Sequence, residues 1–203
     1  MSLLSPSVSI TQYRVEGQLP SPVNEHAAEA LKKNIITEID NDAIEQAVGW
    51  TSFDDPYQPD FEGSRFVIDT GWVFSLRIDK KSIPTKVLKK HYNMEVTKRL
   101  VESGRDYLSK SEKKQLKEHV LTVLNTRIPA TPNIYDILWN YEEGVLWFFS
   151  NLKSANEALE TLFTRSFKLS LVRMFPYTAG LAAGLSGPDK DCLNQLKPTP
   201  FME

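Results

Sequence analysis

The stretch SRFVIDTGWVFSLRI, residues 64–78, predicts a β-hairpin at the centre of the fold. Two runs of β-branched and aromatic residues, 64–68 and 72–78, are typical of strands because such side chains pack well on a pleated surface. The residues between them, 69–71, end in a glycine, and Gly71 can adopt the positive φ that a tight turn needs. The pattern therefore predicts two adjacent antiparallel strands.

A second strand-turn-strand pattern lies further along the chain, at residues 134–141 and 145–150. Its turn, residues 142–144, again ends in a glycine. Two further strands are predicted at 7–15 and 169–175, where short runs contain β-branched and other apolar residues. The tryptophans of the two hairpins are most simply residues of the core or of a sheet face, with base stacking as the alternative.

Helices are predicted beside these strands. Residues 23–35 and 155–167 carry apolar side chains at a spacing near 3.6 residues, which favours helices with one buried side. A short helix is predicted at 179–185 and a short helical turn at 42–48. Residues 49–63, rich in aspartate, proline and aromatic residues, predict a loop.

The segment between the two hairpins, residues 80–127, has no strand pattern and predicts two helices. Pro84 suits the first turn of the first helix, and Gly104 suits its C-terminal end. Ser109 and Glu112 have the spacing of a capping box, in which each side chain bonds the other residue's free backbone N–H. The predicted apolar positions are Leu88, Tyr92, Val96 and Leu100 in the first helix and Leu116, Val120, Val123 and Leu124 in the second.

These elements predict an α+β fold. An antiparallel-rich sheet, built from the two hairpins and flanking strands, packs with helices and carries an inserted helical hairpin. The predicted organisation is one α+β body formed by residues 1–79 and 131–185, an inserted hairpin or tip at 80–130, and a flexible tail at 186–203.

The charge of the chain is unevenly distributed. The 203 residues contain 24 Lys+Arg and 26 Asp+Glu, a net charge of -2 that by itself argues against a polyanionic partner. Residues 80–127, however, hold 13 basic and five acidic residues, or +8. Residues 1–79 have a net charge of -8, and residues 128–203 have -2. A strongly basic helical segment set in an acidic body attracts polyanions, either DNA or an acidic protein surface.

The basic side chains of this segment are the candidate DNA-binding residues. Lys110, Lys114 and Lys117 follow i, i+4, i+7 spacing and share one helix face, which suits contact with a phosphate backbone without base readout. The alternative is that long surface helices are often rich in lysine for solubility. The candidates are Lys86, Lys89, Lys90, Lys98, Arg99, Arg105, Lys110, Lys113, Lys114, Lys117 and Arg127. Arg127 has an alternative role beside the C-terminus of the second helix, where a cation favours the helix dipole.

Patterns for other chemistry are weak or absent. Cys192 is the single cysteine, so an internal disulfide or cysteine-based zinc site is excluded, and a reducing cytoplasmic location is expected. No run of about 18 apolar residues predicts a membrane-spanning helix. The sequence predicts no cofactor and no metal. A metal-dependent nuclease is kept as a further hypothesis, on the loop acids Asp54, Asp55, Asp60 and Glu62.

Five local patterns, in order, resemble the bacterial recombination-associated RdgC family. They are TQYRVEG (11–17), Gly-Trp before a proline-containing loop (49–50), IPTKVLKK (83–90), SEKKQLKEHVLTVLNTR (111–127) and NYEEGVLWFFSNLKSANEALETL (140–162). The lysine- and glutamate-rich helix at 111–127 is the strongest of them. Together the patterns span most of residues 7–177.

The resemblance implies a non-enzymatic, sequence-independent protein that binds duplex DNA, forms a ring-shaped homodimer and restrains the bacterial recombinase, in the cytoplasm at the nucleoid. Fuller members continue through a further αβ region, which contributes DNA contacts and one dimer interface. The family's aromatic gate contact does not carry over, because Ile128, Pro129 and Ala130 follow Arg127 here. The alternative function is a protein-interaction module whose basic hairpin docks on an acidic partner or dimer mate.

Overall fold

The computed structural model describes residues 3–63 and 65–196, which form one seven-stranded sheet and six helices. In chain order the elements are β1 (Thr11–Glu16), α1 (Val23–Lys33), β2 (Gln46–Thr51), β3 (Val67–Ile68), β4 (Gly71–Lys80), α2 (Thr85–Ser103), α3 (Lys110–Asn125), β5 (Thr131–Asn140), β6 (Val145–Phe148), α4 (Lys153–Phe167), β7 (Ser170–Arg173), α5 (Pro176–Ala182) and α6 (Gly187–Gln195).

The sheet is antiparallel, with strand order β2-β4-β5-β6-β1-β7 and β3 paired with β4 outside this path. Its longest pairing joins β4 to β5, from Gly71 opposite Asn140 to Lys80 opposite Thr131. Helices α2 and α3 lie between these two strands in the sequence. The predicted α+β class, with its antiparallel sheet, is confirmed.

The β3–β4 hairpin forms at the predicted place, but β3 covers only residues 67–68 of the predicted 64–68, of which residue 64 lies outside the described residues. Its turn also differs. Asp69, not Gly71, takes the positive φ, at 54°, because short polar side chains tolerate the left-handed region. Gly71 begins β4, paired with Ile68. A Cβ at this position would lie 3.0 Å from Cδ1 of Leu138, so Gly71 is suited by close packing rather than by its φ angle. The β5–β6 turn agrees with the prediction, with Gly144 at a φ of 64°.

The predicted helical turn at 42–48 is wrong. Residues 46–51 form β2, which pairs with β4 at one edge of the sheet. Backbone pairing with β4 overrides the weak local preference of a short, mixed sequence. Gly49 lies where a Cβ would collide with the backbone of Ile36, which also explains the glycine within this strand.

The core lies between the sheet and helices α1 and α4 and is rich in aromatic side chains. Trp139 is central, with ring centroids 4.8 Å from Trp72, 4.9 Å from Phe163 and 5.1 Å from Phe167. Trp50 joins the same cluster from β2 and donates a hydrogen bond from Nε1 to Ser166 Oγ, 2.9 Å away. The interpretation of Trp72 and Trp139 as core residues is therefore confirmed.

The C-terminal part differs from the sequence prediction. The short helix α5 begins at Pro176, earlier than the predicted 179–185, and β7 is shorter than the predicted strand. Residues 187–195, within the segment predicted to be a loose tail, form α6, whose N-cap Ser186 accepts a bond from the Asp189 N–H. Residues 197–203 of that predicted tail lie outside the described residues.

Candidate nucleic-acid interface

Helices α2 and α3 begin and end where the sequence predicts. Gly104 ends α2 in the left-handed conformation, with φ of 62°. The predicted capping box starts α3: the Ser109 N–H donates to Glu112 Oε2 at 2.8 Å, and the Glu112 N–H donates to Ser109 Oγ at 3.2 Å. This capping satisfies two backbone donors that a helix start otherwise leaves free.

The two helices pack against each other along their predicted apolar positions. Leu116, Val120 and Leu124 of α3 are buried, whereas α2 has no fully buried residue. The predicted apolar positions of α2 are half-buried. In the described chain each helix packs mainly on the other rather than on the sheet. Most of the surface of this helix pair is therefore exposed.

All eleven predicted DNA-binding side chains belong to exposed residues. Two of the eleven are paired: Arg105 contacts Glu112 at 2.7 Å, and Lys114 lies 3.9 Å from Glu118. The other nine form no ion pair with any residue that the structure describes. They are Lys86, Lys89, Lys90, Lys98, Arg99, Lys110, Lys113, Lys117 and Arg127.

The lysines of α3 form one basic face. Lys110, Lys113, Lys114 and Lys117 occupy the i, i+3, i+4 and i+7 positions of a regular helix, so they fall within about 100° of its circumference. On α2, Lys86, Lys89 and Lys90 share a face by the same spacing. We call these seven side chains the lysine faces of α2 and α3.

Four predicted residues lie elsewhere on the helix pair. Arg99 and Arg105 line a groove of about 540 Å³ between the two helices, together with His119. Arg127 lines a second groove of about 270 Å³, together with His91 and His119. Lys98 is exposed but does not share the i, i+3, i+4 spacing of the other α2 lysines. The candidates are thus distributed over more than one face.

Glu112 forms an ion pair with Arg105. The hydrogen bond from the Ser109 backbone N–H, followed by the bond from Arg105, lowers the pKa of Glu112 to about 2. The carboxylate therefore stays charged at ordinary pH. Arg105 is therefore engaged in an ion pair within the chain, unlike nine of the other predicted residues.

Sequence reasoning missed the role of Lys81, which it counted only as part of the basic segment. Lys81 is buried, and its Nζ donates to three backbone carbonyls, those of Asp40, Asp42 and Asn125. It contributes to holding the root of the helix pair rather than to the exposed basic surface. Only the long-range contacts reveal this, since its sequence neighbours resemble those of any surface lysine.

Two of the four loop acids of the nuclease hypothesis, Asp55 and Asp60, make local contacts. Asp55 Oδ1 accepts the backbone N–H groups of Tyr57 and Gln58, each at 3.1 Å. Asp60 pairs with Arg65 at 2.5 Å. Across residues 3–63 and 65–196, no three His, Cys, Asp or Glu side chains lie close enough together to hold a metal ion. None of the helices in those ranges is long and apolar enough to cross a membrane.

The fold defines an α+β protein in which 13 of the 24 basic residues are concentrated in the segment that carries one exposed helix pair. The chain belongs to the RdgC family: the family described as "Putative exonuclease, RdgC" matches residues 9–180. This match confirms the resemblance seen in the sequence. No curated protein matches the chain at a significant level.

Family membership supports a recombination-associated, DNA-binding role in general terms. The family description also carries the word exonuclease. It assigns no catalytic residue to this chain, so the absence of enzymatic activity stays a prediction.

Proposed function

We propose that this chain binds duplex DNA without reading its sequence, through the lysine faces of α2 and α3, and modulates homologous recombination at the nucleoid. In this proposal it acts as a homodimer and influences the bacterial recombinase. The observation that carries the proposal is that nine of the eleven candidate cations are exposed and unpaired within the described chain.

The spacing of the lysines supports contact with phosphates. Lys110 and Lys117 are seven residues apart, about 10 Å along the helix axis at 1.5 Å per residue. Over that length a B-DNA strand passes about three phosphates, at about 3.4 Å of rise each. A rigid helix with a lysine on each turn can therefore follow one strand of the backbone.

The type of side chain supports binding without base readout. Both lysine faces consist of ammonium groups, which act as point charges on flexible stems. The most common specific contact to a base is a bidentate one, made by the planar fork of arginine to guanine. The arginines of this helix pair lie outside the lysine faces, as Arg99 and Arg105 do in their groove.

A salt titration of duplex binding tests the proposal. Because each neutralised phosphate releases counterions, log K should fall by about 0.9 for each contacted phosphate per tenfold rise in salt. A variant with Lys110→Glu, Lys114→Glu and Lys117→Glu should lower affinity on the order of a hundredfold at 0.1 M salt, since about three contacts are lost.

A matched control is the variant with Lys32→Glu, Lys33→Glu and Lys190→Glu. These three lysines are also exposed, and the change in net charge is the same, but they lie outside α2 and α3. We expect this control to keep most of the affinity. Equal losses in both variants, or binding that is insensitive to salt, would contradict the proposal.

The alternative, a protein-interaction module, is favoured by one observation. Met94, Val101 and Tyr107 on and beside α2 are 58%, 77% and 78% exposed, which is unusual for large apolar side chains. If this alternative is correct, the reversal of Lys110, Lys114 and Lys117 abolishes assembly or partner binding and leaves DNA binding unaffected. Mass measurement in solution, beside the salt titration, separates the two functions.

A further inference from the structure

The α2–α3 pair joins the sheet at two neighbouring points. It leaves after Lys80 of β4 and returns at Thr131 of β5, and these two residues are opposite each other in the β4–β5 pairing. Because the two helices pack mainly on each other, this narrow root is where their orientation against the sheet is set. Two chain connections alone would leave the pair free to pivot.

Lys81 closes this root. Its Nζ lies 2.9 Å from the carbonyl oxygen of Asp40, 2.7 Å from that of Asp42 and 2.5 Å from that of Asn125. Three carbonyl acceptors require three N–H donors, which is the full capacity of an ammonium group. One buried side chain thus joins the start of the helix pair, the end of α3 and the loop between α1 and β2.

Further hydrogen bonds join the same three parts. Asp40 Oδ1 accepts the Ala130 N–H at 2.8 Å, and the Glu45 carbonyl accepts the Lys81 N–H at 2.9 Å. The buried Asn125 donates from Nδ2 to Glu45 Oε1 at 3.4 Å. We call these bonds, with those of the Lys81 ammonium, the root clasp.

We propose that Lys81, through the root clasp, fixes the angle of the α2–α3 pair against the sheet and so determines how many phosphates the lysine faces engage together. Lys81 is a positioning residue: it is buried and does not reach the DNA. The inference rests on the proposed function, because the lysine faces are its assumed binding surface. Its physical basis is that charges on a pivoting support must lose orientational freedom on binding, whereas charges on a fixed support do not.

The neighbouring lysine provides a matched control. Lys80 is exposed and Lys81 is buried, so Lys80→Met and Lys81→Met remove the same charge from adjacent positions. Only the second removes the clasp. Spin labels at Ser111→Cys on α3 and Ser154→Cys on α4, in a Cys192→Ser background, report the distance between the helix pair and the body by pulsed electron resonance.

We expect a narrow distance distribution in the parent protein and in Lys80→Met, and a broadened or shifted one in Lys81→Met. In the salt titration, Lys80→Met should lower the slope by at most about 0.9, the value of one phosphate. Lys81→Met should lower it by the equivalent of two or more phosphates. A role in stability alone would lower the melting temperature without changing the distances or the slope.

If Lys81→Met and Lys80→Met give the same distances, the clasp does not set the angle and the inference is overturned. If the distances differ but the slopes agree, the angle does not govern DNA contact, which also overturns it. Absence of DNA binding by the parent protein would overturn the proposed function and the DNA part of this inference, while the distances still decide whether the clasp exists.

A milder pair of variants covers the case in which Lys81→Met fails to fold. Asp40→Ala removes the acceptor of the Ala130 N–H, whereas Asp40→Asn keeps a side-chain oxygen at that position. We expect broadened distances and a reduced slope for Asp40→Ala, and recovery of both for Asp40→Asn. Parent-like distances in Asp40→Ala would count against the clasp.

Discussion

Helices α4 and α2 show two ways of holding a helix in place. The 15-residue α4 buries six residues, including Leu159, Phe163 and Phe167, against the sheet. The 19-residue α2 buries none fully and depends on α3 and on the root of the pair. The difference shows that α4 is held by a hydrophobic core, whereas α2 is held by one partner helix and a few polar contacts.

The largest effect on stability is expected from a substitution in the core beneath α4. Phe163→Ala should lower the free energy of unfolding by about 3–5 kcal/mol, because it leaves a cavity beside Trp139 and Phe167. Chemical denaturation measures this change. As a control, Met94→Ala on the exposed surface of α2 should change stability by less than about 0.5 kcal/mol. A comparable loss in both variants would mean that α2 is packed as firmly as α4.

A smaller effect is expected at the start of α3. Ser109→Ala removes the Oγ acceptor of the capping box, although the backbone N–H of residue 109 can still donate to Glu112, and should weaken α3 by about 1 kcal/mol. Amide hydrogen exchange should show the loss within α2 and α3, with the sheet unaffected, if the helix pair opens separately. The control is Ser111→Ala, because Ser111 is exposed in the first turn of α3 and takes no part in the cap. Loss of protection across the whole sheet would show instead that the pair and the body unfold as one unit.

The same cap should respond to acid. The pKa of Glu112 is lowered from 4.5 to about 2 in the folded chain, so its carboxylate stabilises the start of α3 above the unfolded pKa. That contribution should be constant from pH 7 to about 5 and be lost as the pH falls from about 4.5 towards 2. An NMR titration of Glu112 measures it. In Glu112→Gln the acid dependence of the α3 amides over this range should disappear, and its persistence would assign the effect to another group.

The smallest effect, no cleavage of DNA, is expected at the loop that contains Asp54, Asp55, Asp60 and Glu62. Its charge is opposite to that of the lysine faces. Incubation of duplex or single-stranded DNA with Mg²⁺ or Mn²⁺ should release no nucleotides, because Asp55 and Asp60 are engaged with local backbone and Arg65. If cleavage occurs, Asp54→Ala with Asp55→Ala should abolish it only if this loop is the site. Cleavage removed by those changes would establish the exonuclease reading of the family description.

Sequence patterns predicted the secondary-structure elements that are set by neighbouring residues. The ends of α2 and α3 could be predicted from Gly104, Ser109 and Glu112, because helix capping depends on residues within one turn. The β5–β6 hairpin could be predicted from its turn glycine and flanking apolar runs. Strand β2 could not, since residues 46–51 become a strand only by pairing with β4.

The same division holds for the candidate site: its local features could be predicted from the sequence, and its tertiary contacts could not. The concentration of charge between residues 80 and 127 and the lysine spacing on α3 follow from the order of residues and the geometry of a helix. The pairing of Arg105 with Glu112 was not foreseen, although the two residues are only seven apart. It depends on how the loop between the helices folds back.

The sequence by itself determined the α+β class, the basic helical segment and the resemblance to the RdgC family, because each depends on short-range patterns of apolarity, charge and turn chemistry. Only the tertiary structure decided that Trp50 belongs to an edge strand and that Lys81, unlike Lys80, is buried. Those outcomes depend on residues up to 44 positions away, as in the bond from Lys81 to Asn125. Burying a charge costs free energy unless hydrogen-bond acceptors surround it, and the acceptors of Lys81 come from residues far from it in the sequence.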